Sequence, residues 1–418
     1  MSLDFNTVPL DDIVSLVIDY RGKTPKKLGS NWSESGIRAL SAKNIKTGQI
    51  IREDAIRYVD IDLYDKWMKD EIKRNDILIT SEAPFGEIFF WDSDEKIVLS
   101  QRLFGVRCDE NKVNPRFIYF YMTSEIFQWE LQSRATGTTV KGLRQPELLK
   151  CEIQLPDIDT QKRISYILSN IENKINVLKK LNDNLENIIR TLYKSWFVNF
   201  LPFQNNEFIN TYMGEIPNGW EIRNLDEICD KVSDSYKPDS DEVVLLQTSD
   251  ISKGKVLNHE KVPNDDYKGH FKYKFEKNDI LYTQIRPKNE RYAFINFNPV
   301  NYVASTQLMV LRAKKDIIPP YILYLFLTSP DMIKEVNLLA ESRSGTFPQI
   351  NFNEIKHEKV IVAPFEVYEE FWNIIKSLVE KKFIIDDEII KLTQLRDTLL
   401  PKLMSGEIDV SQINCDLE

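Results

Sequence analysis

The stretch TQKRISYILSNIENKINVLKKLN, residues 160–182, decides how the chain is built. Stepping alternately four and three residues from Ile164 meets Leu168, Ile171, Ile175, Leu178, Asn182, Leu185, Ile189, Leu192 and Trp196, while Lys, Asn, Asp and Glu fill most positions between. An apolar residue about every 3.5 positions is the seam of a helix that packs along its length against another helix. At 1.5 Å per residue, a helix over 160–196 is roughly 55 Å long, more than the core of one small domain needs. A partner of similar length is therefore expected.

That partner lies 207 residues on, where the seam positions become Phe371, Ile375, Leu378, Lys382, Ile385, Ile389, Leu392, Arg396, Leu399 and Leu403. Asn182, Lys382 and Arg396 interrupt the seams; polar seam residues fix register and pairing at a cost in stability, although a slip of the heptad frame would look the same. Each helix follows a strand-like run ending in proline, CEIQLP (151–156) and EKVIVAP (358–364), which breaks strand from helix. The segments between repeat as well. Asn75-Asp76-Ile77-Leu78 recurs as Asn278-Asp279-Ile280-Leu281, Ser100 and Arg107 as Ser305 and Arg312, and Asn44 and Gly48 as Asp250 and Gly254. One ancestral module has been duplicated. Short β-branched and aromatic runs bounded by Gly, Pro, Asn and Asp make each copy a mixed module with a curled sheet. One short helix is expected to follow in each, over PRFIYFYMTSEIFQWELQ (115–132) and PPYILYLFLTSPDMIKEVN (319–337). Between the anchors the copies diverge, SEAPFGEIFFWD (81–92) standing where the other has QIRPKNERYAFI (284–295). A shared framework with divergent loops suits two recognition modules for different targets.

The 418 residues, 42% hydrophobic and 28% charged, are enough for two or three globular domains. The start MSLDFNTVPLDD has no basic and apolar leader pattern, and no window approaches a membrane span, so a cytoplasmic protein without membrane contact is expected. Cys108, Cys151, Cys229 and Cys415 are scattered, with only three histidines as companions, so they read as buried or incidental thiols and no metal site is expected. The net charge of −9 disfavours indiscriminate nucleic-acid binding and leaves room for local basic grooves.

LPDIDTQKRISYILSNIENKI (155–175), TLLPKLMSGEI (398–408) and the module opening GEIPNGWEIRNLDEI (214–228), in this order and with the duplication, resemble the specificity subunit of type I restriction-modification systems. The first module opens VPLDDIVSLV, without the Pro-Asn-Gly-Trp turn; IRPKNERYAF lacks the glycine usual in this loop, and APFEVYEEFWNII lacks the Gln-Arg of the first copy. The resemblance implies an α+β protein with two target-recognition domains, 1–155 and 203–364. They would be separated by two long antiparallel coiled-coil helices, 156–202 and 365–418, in pseudo-two-fold symmetry. Each domain would read one half of a bipartite site in double-stranded DNA, and the helices would dock two methyltransferase subunits. The subunit itself would be non-catalytic and without cofactor, and an endonuclease or translocase subunit stays open as a further partner.

Basic residues gather in loops of both modules: Arg21 and Lys23 with Lys26 and Lys27, then Arg134, Lys141 and Arg144, then Arg286, Lys288 and Arg291 beside Gln284. Phosphate contact needs only charge and backbone donors, whereas base reading needs Arg, Asn or Gln reaching a groove. These residues, with Arg343, are the candidate DNA contacts; solvated loop charges are the plain alternative. Gly137-Thr138 and Gly345-Thr346 could bring backbone N–H groups near a phosphate, or simply form turns. Asp331 with Glu354 and Lys356 fits a loose metal-nuclease pattern, but the first module has no counterpart and the match reads as chance. No Walker loop, methyltransferase motif or His-centred triad is present. A nuclease or methyltransferase in its own right, and a coiled-coil scaffold that never touches DNA, remain as alternatives.

Overall fold

The computed structural model describes residues 5–137, 140–264, 269–343 and 348–413. Thr138, Gly345, Thr346, Cys415 and the side chain of Arg343 lie outside the described residues. The chain forms two compact units: Met1–Lys179 with Glu388–Glu418, and Lys180–Asp387. Among the described residues no helix is long and apolar enough to cross a membrane.

In the first unit an antiparallel sheet runs in the order Val14–Asp19, Leu103–Cys108, Ile77–Thr80, Ile88–Phe90. A second sheet of Arg57–Val59, Ile37–Leu40 and Ile97–Leu99 contains one parallel pairing, Ile37–Leu40 with Ile97–Leu99. Ile77–Thr80 and Ile97–Leu99 are buried along their whole length, which is why they read as unbroken apolar runs rather than alternating ones. Asn6–Pro9 pairs with Glu152–Leu155, so the module's two ends close on each other.

The second unit repeats this plan. Cys229–Val232, Leu308–Ala313, Ile280–Thr283 and Tyr292–Phe294 form its antiparallel sheet. Glu242–Leu246 runs parallel to Tyr302–Ser305, and Glu221–Asn224 closes on Lys359–Val362. A hairpin of Phe208–Thr211 with Gly214–Pro217 precedes the closing strand.

The repeated anchors are residues whose geometry leaves little choice. Asn75 and Asn278 hold φ of 73° and 75°, a region that Asn tolerates better than most residues. The next residue in each copy, Asp76 or Asp279, is almost fully buried, takes an arginine (Arg107 or Arg312) at 2.7 Å and accepts a backbone N–H three residues back. Asn44 and Asp250 each accept the backbone N–H of the residue three before. Where one helix was expected after the sheet, each copy has two: Pro115–Thr123 then Glu125–Ser133, and Pro320–Leu327 then Pro330–Arg343. Ser124 and Ser329 cause the break, each accepting the N–H three residues on and so starting a new helix.

Both long helices span forty residues, Ile158–Phe197 and Phe365–Met404. Asp157 caps the first by accepting from the N–H of Asp159 and of Thr160. Ile164, Leu168, Ile175, Leu178, Leu185, Ile189, Phe371, Ile375, Ile385 and Leu403 are buried, and Ile171, Leu192, Leu378, Ile389, Leu392 and Leu399 half-buried. Every apolar seam residue is thus buried or half-buried, although Val379 is more buried than its seam neighbour Leu378. In the first unit Ile164 and Leu168 share a core with Leu403 and Met404, while Lys174 lies 3.4 Å from Glu388. In the second, Asn182 meets Asp386, and Trp196 lies 5.4 Å from Phe371, centroid to centroid. Numbers rise along one helix as they fall along the other, so the helices pair antiparallel within each unit. The aromatic run after 191 is covered: Phe197 packs on Tyr368, Phe371 and Trp220.

Candidate nucleic-acid interface

In the first unit the loops singled out by sequence meet around Leu143. Arg21 chelates Asp19 through Nε and Nη2, donates Nη1 to the Leu143 carbonyl and lies 3.9 Å over the Phe104 ring. Thr136 and Gly142 exchange backbone hydrogen bonds, closing a loop that presents Lys141; Arg144 follows it, and both side chains are exposed. Gly137, at φ 108°, makes that closure possible. Lys23 points elsewhere and donates to the Trp67 carbonyl, while Arg134 is held by Glu130 at 2.7 Å. Lys141 and Arg144 thus face outward, as do the exposed Lys26 and Lys27, whereas Arg21, Lys23 and Arg134 bind the framework.

In the second unit, residues 284–291 form the loop between Ile280–Thr283 and Tyr292–Phe294. Arg286 donates its backbone N–H to the Pro348 carbonyl and Gln284 accepts from the Ile350 N–H, which brings this loop beside residues 348–350. The Gln284 amide donates to the Thr306 carbonyl, and Arg291 donates to the carbonyls of Ser249 and Ile251. Both are occupied within the fold. Arg286 and Lys288 are exposed, with Lys288 3.9 Å from Glu341. The loop at the same place in the first unit carries Glu82 and Glu87 instead: Glu82 pairs with Arg102, and Glu87 accepts from Thr47. Equivalent edges therefore present acidic chemistry in one unit and basic chemistry in the other. Glu354, from the loose nuclease pattern, accepts the N–H of Asn351 in a helix cap.

Each module is fastened to the long helices by a cluster that sequence reading missed. Tyr119 donates to Glu172 at 2.8 Å, Arg116 reaches Glu172 and Ser169, and burial followed by the Glu172 charge holds the Tyr119 phenol well above its ordinary pKa. It therefore remains a donor. In the second unit Tyr324 accepts from Arg190, which also donates to the Thr328 carbonyl and hydroxyl. Gly48 and Gly254 face these two tyrosines. Tyr119 and Tyr324 are 205 apart, so the repeat itself held the signal. It also accounts for the missing Gln-Arg: Gln161 accepts from Asn114 N–H, and Tyr368, 207 residues on, instead accepts from Ala363 N–H. Cys108, Cys151 and Cys229 are buried thiols pushed up to about 12 by desolvation.

A duplicated module with a constant buried framework and divergent edge loops, each copy fastened to half of a paired helix, defines a two-module recognition protein. The sequence matches the family model described as type I restriction modification DNA specificity domain over residues 3–187 and again over 217–394, and the chain belongs to that family. It is 26% identical over 345 residues to the type I restriction enzyme MjaIX specificity subunit of Methanocaldococcus jannaschii, covering 81% of this chain and 78% of that protein. It is 34% identical over 181 residues to the HindI specificity subunit of Haemophilus influenzae, covering 43% of this chain and 38% of that one. The crystal structure of the type I restriction-modification S subunit from M. genitalium shares the fold, with a TM-score of 0.58 over 96% of both chains at 16% identity.

Proposed function

We propose that this chain is the DNA-specificity subunit of a cytoplasmic type I restriction-modification complex. Residues 1–155 and 203–364 each read one half of a bipartite double-stranded site, and the helices over 156–202 and 365–418 dock methyltransferase subunits. Catalysis and its cofactors belong to those partners and to any endonuclease subunit that joins them. The observation that carries the reading is the contrast between the repeated Asp–Arg framework and the unlike loops it supports, acidic over 81–89 and basic over 284–291. Lys141, Arg144, Arg286 and Lys288 are the side chains we assign to DNA, with Arg21, Lys23, Arg134, Gln284 and Arg291 holding their loops in place.

The test is module exchange. Residues 203–364 are replaced by the second module of another family member, and methylated sites are mapped in cells carrying the complete system. One half of the site should change and the other stay. If both halves change, or neither does, independent reading by the two modules is wrong. A scaffold that never touches DNA predicts no sequence-selective shift of labelled DNA by the assembled complex.

A further inference from the structure

The two long helices are copies of each other and share one seam. Each is therefore a fitting partner for the same helix of a second chain as well as for its sister. One crossing breaks the equivalence. Asn182 and Lys382 are 2% and 5% exposed; Asn182 Nδ2 donates to Asp386 Oδ1 at 2.6 Å, and Lys382 Nζ lies 3.6 Å from both Glu186 Oε2 and Asp386 Oδ2. Lys255 reaches Asp386 at 2.6 Å, and Arg190 reaches Glu186 at 2.7 Å. Asn182 Oδ1 and Glu186 Oε2 are buried without a hydrogen-bond partner. In the first unit the positions 207 residues away are Ile389 for Asn182, Thr393 for Glu186, Ile175 for Lys382 and Lys179 for Asp386. There the same crossing carries two isoleucines.

A buried ionic cluster stabilises little compared with apolar packing of similar volume, whereas a buried charge that loses its partner is strongly destabilising. Its main effect is on which partner is accepted. In an antiparallel pair of two first helices, Glu186 would face Ile175 in place of Lys382. In a pair of two second helices, Lys382 would face Thr393 in place of Glu186. We propose that the Asn182–Glu186–Lys382–Asp386 cluster restricts pairing to first helix with second helix in one register, and so prevents two copies of this chain from joining like helix to like helix. The inference does not depend on what DNA either unit reads.

The experiment rewrites the crossing in the full-length chain with the residues of its counterpart: Asn182→Ile, Glu186→Thr, Lys382→Ile and Asp386→Lys. Sedimentation velocity gives the assembly state, and lysine cross-linking of mixed isotopically light and heavy chains shows which helices meet. The native protein is expected as a single chain of 49.0 kDa, with its first helix linked only to its own second helix. The rewritten chain should self-associate at least about tenfold more tightly, with light-to-heavy links joining first helix to first helix. A rewritten chain that stays single over the same concentrations, or a native chain that gives like-to-like links, overturns the proposal. Should the rewritten chain not fold, charge reversal decides: Lys382→Glu must lower the thermal midpoint and Glu186→Lys added to it must restore at least half the loss. Absence of that coupling is equally fatal to the idea.

Discussion

Gly254 has φ +89°, and a Cβ placed on it would sit 2.3 Å from the hydroxyl oxygen of Tyr324. Gly254→Ala should cost about 2–3 kcal/mol, from backbone strain together with overpacking. Tyr324→Phe in the same chain should recover part of that loss, which a thermal-melt double-mutant cycle would reveal. Gly48→Ala should be milder, about 1 kcal/mol, because its nearest contacts are 3.4 Å away. Equal losses at the two glycines would mean that strain alone is felt. The candidate cations divide in the same physical way. Arg144→Ala should weaken binding of the complex to all DNA alike and make the salt slope shallower by about one. Arg291→Ala should lower the melting temperature as well, since two backbone carbonyls lose their donor. If Arg291→Ala leaves stability untouched and alters only base preference, it is a reader and not a brace. Sequence pointed to these arginines correctly as loop residues. It could not show that Asp19 folds back on Arg21 or that residues 249–251 approach Arg291, because side-chain partners set by the fold leave no local pattern.

At the scale of elements, the long helices were the most legible part, because a seam sustained over ten heptad positions in each has no other good explanation. Their polar interruptions were legible as positions and not as a network: Lys255, which completes the cluster, comes from a hairpin more than a hundred residues from Lys382. The break at Ser124 and Ser329 was missed because apolar spacing continues across it while the capping serines turn the chain. If residues 1–155 and 203–364 read the two half-sites as proposed, helix length should set the gap between them. Adding seven residues after Lys179 and seven after Asp387 lengthens both helices by about 10 Å, which matches roughly three base pairs of added spacer. Both points fall at the chain boundaries of the two units, and neither separates Lys382 from Asp386. Site selection from a random library by the lengthened subunit, together with the methyltransferase subunit proposed above, is the measurement. The half-sites should be unchanged, and affinity should fall because the DNA turns by about a third of a helical repeat. An unchanged spacer from a folded protein would make the helices docking surfaces only.

For the whole molecule, duplication was readable from three sets of anchors, because Asn75 and Asn278 hold a left-handed backbone, Asp76 and Asp279 each bury a charge against an arginine, and Asn44 and Asp250 each cap the residue three before. The division into compact units was not readable. Sequence places a boundary wherever a helix begins, whereas the contacts cut through the middle of both helices and give the far end of the chain to the first unit. Leu403, Met404 and Val410 are buried in one core with Phe104, Phe117 and Ile153. This has a consequence for biosynthesis. While the ribosome is still making residues 180–387, the first unit lacks one wall of its core, so apolar surface around Ile164 and Leu168 stays open until residues 388–410 have been added. A chain stopped before residue 388 would therefore be damaged in the part that was made first.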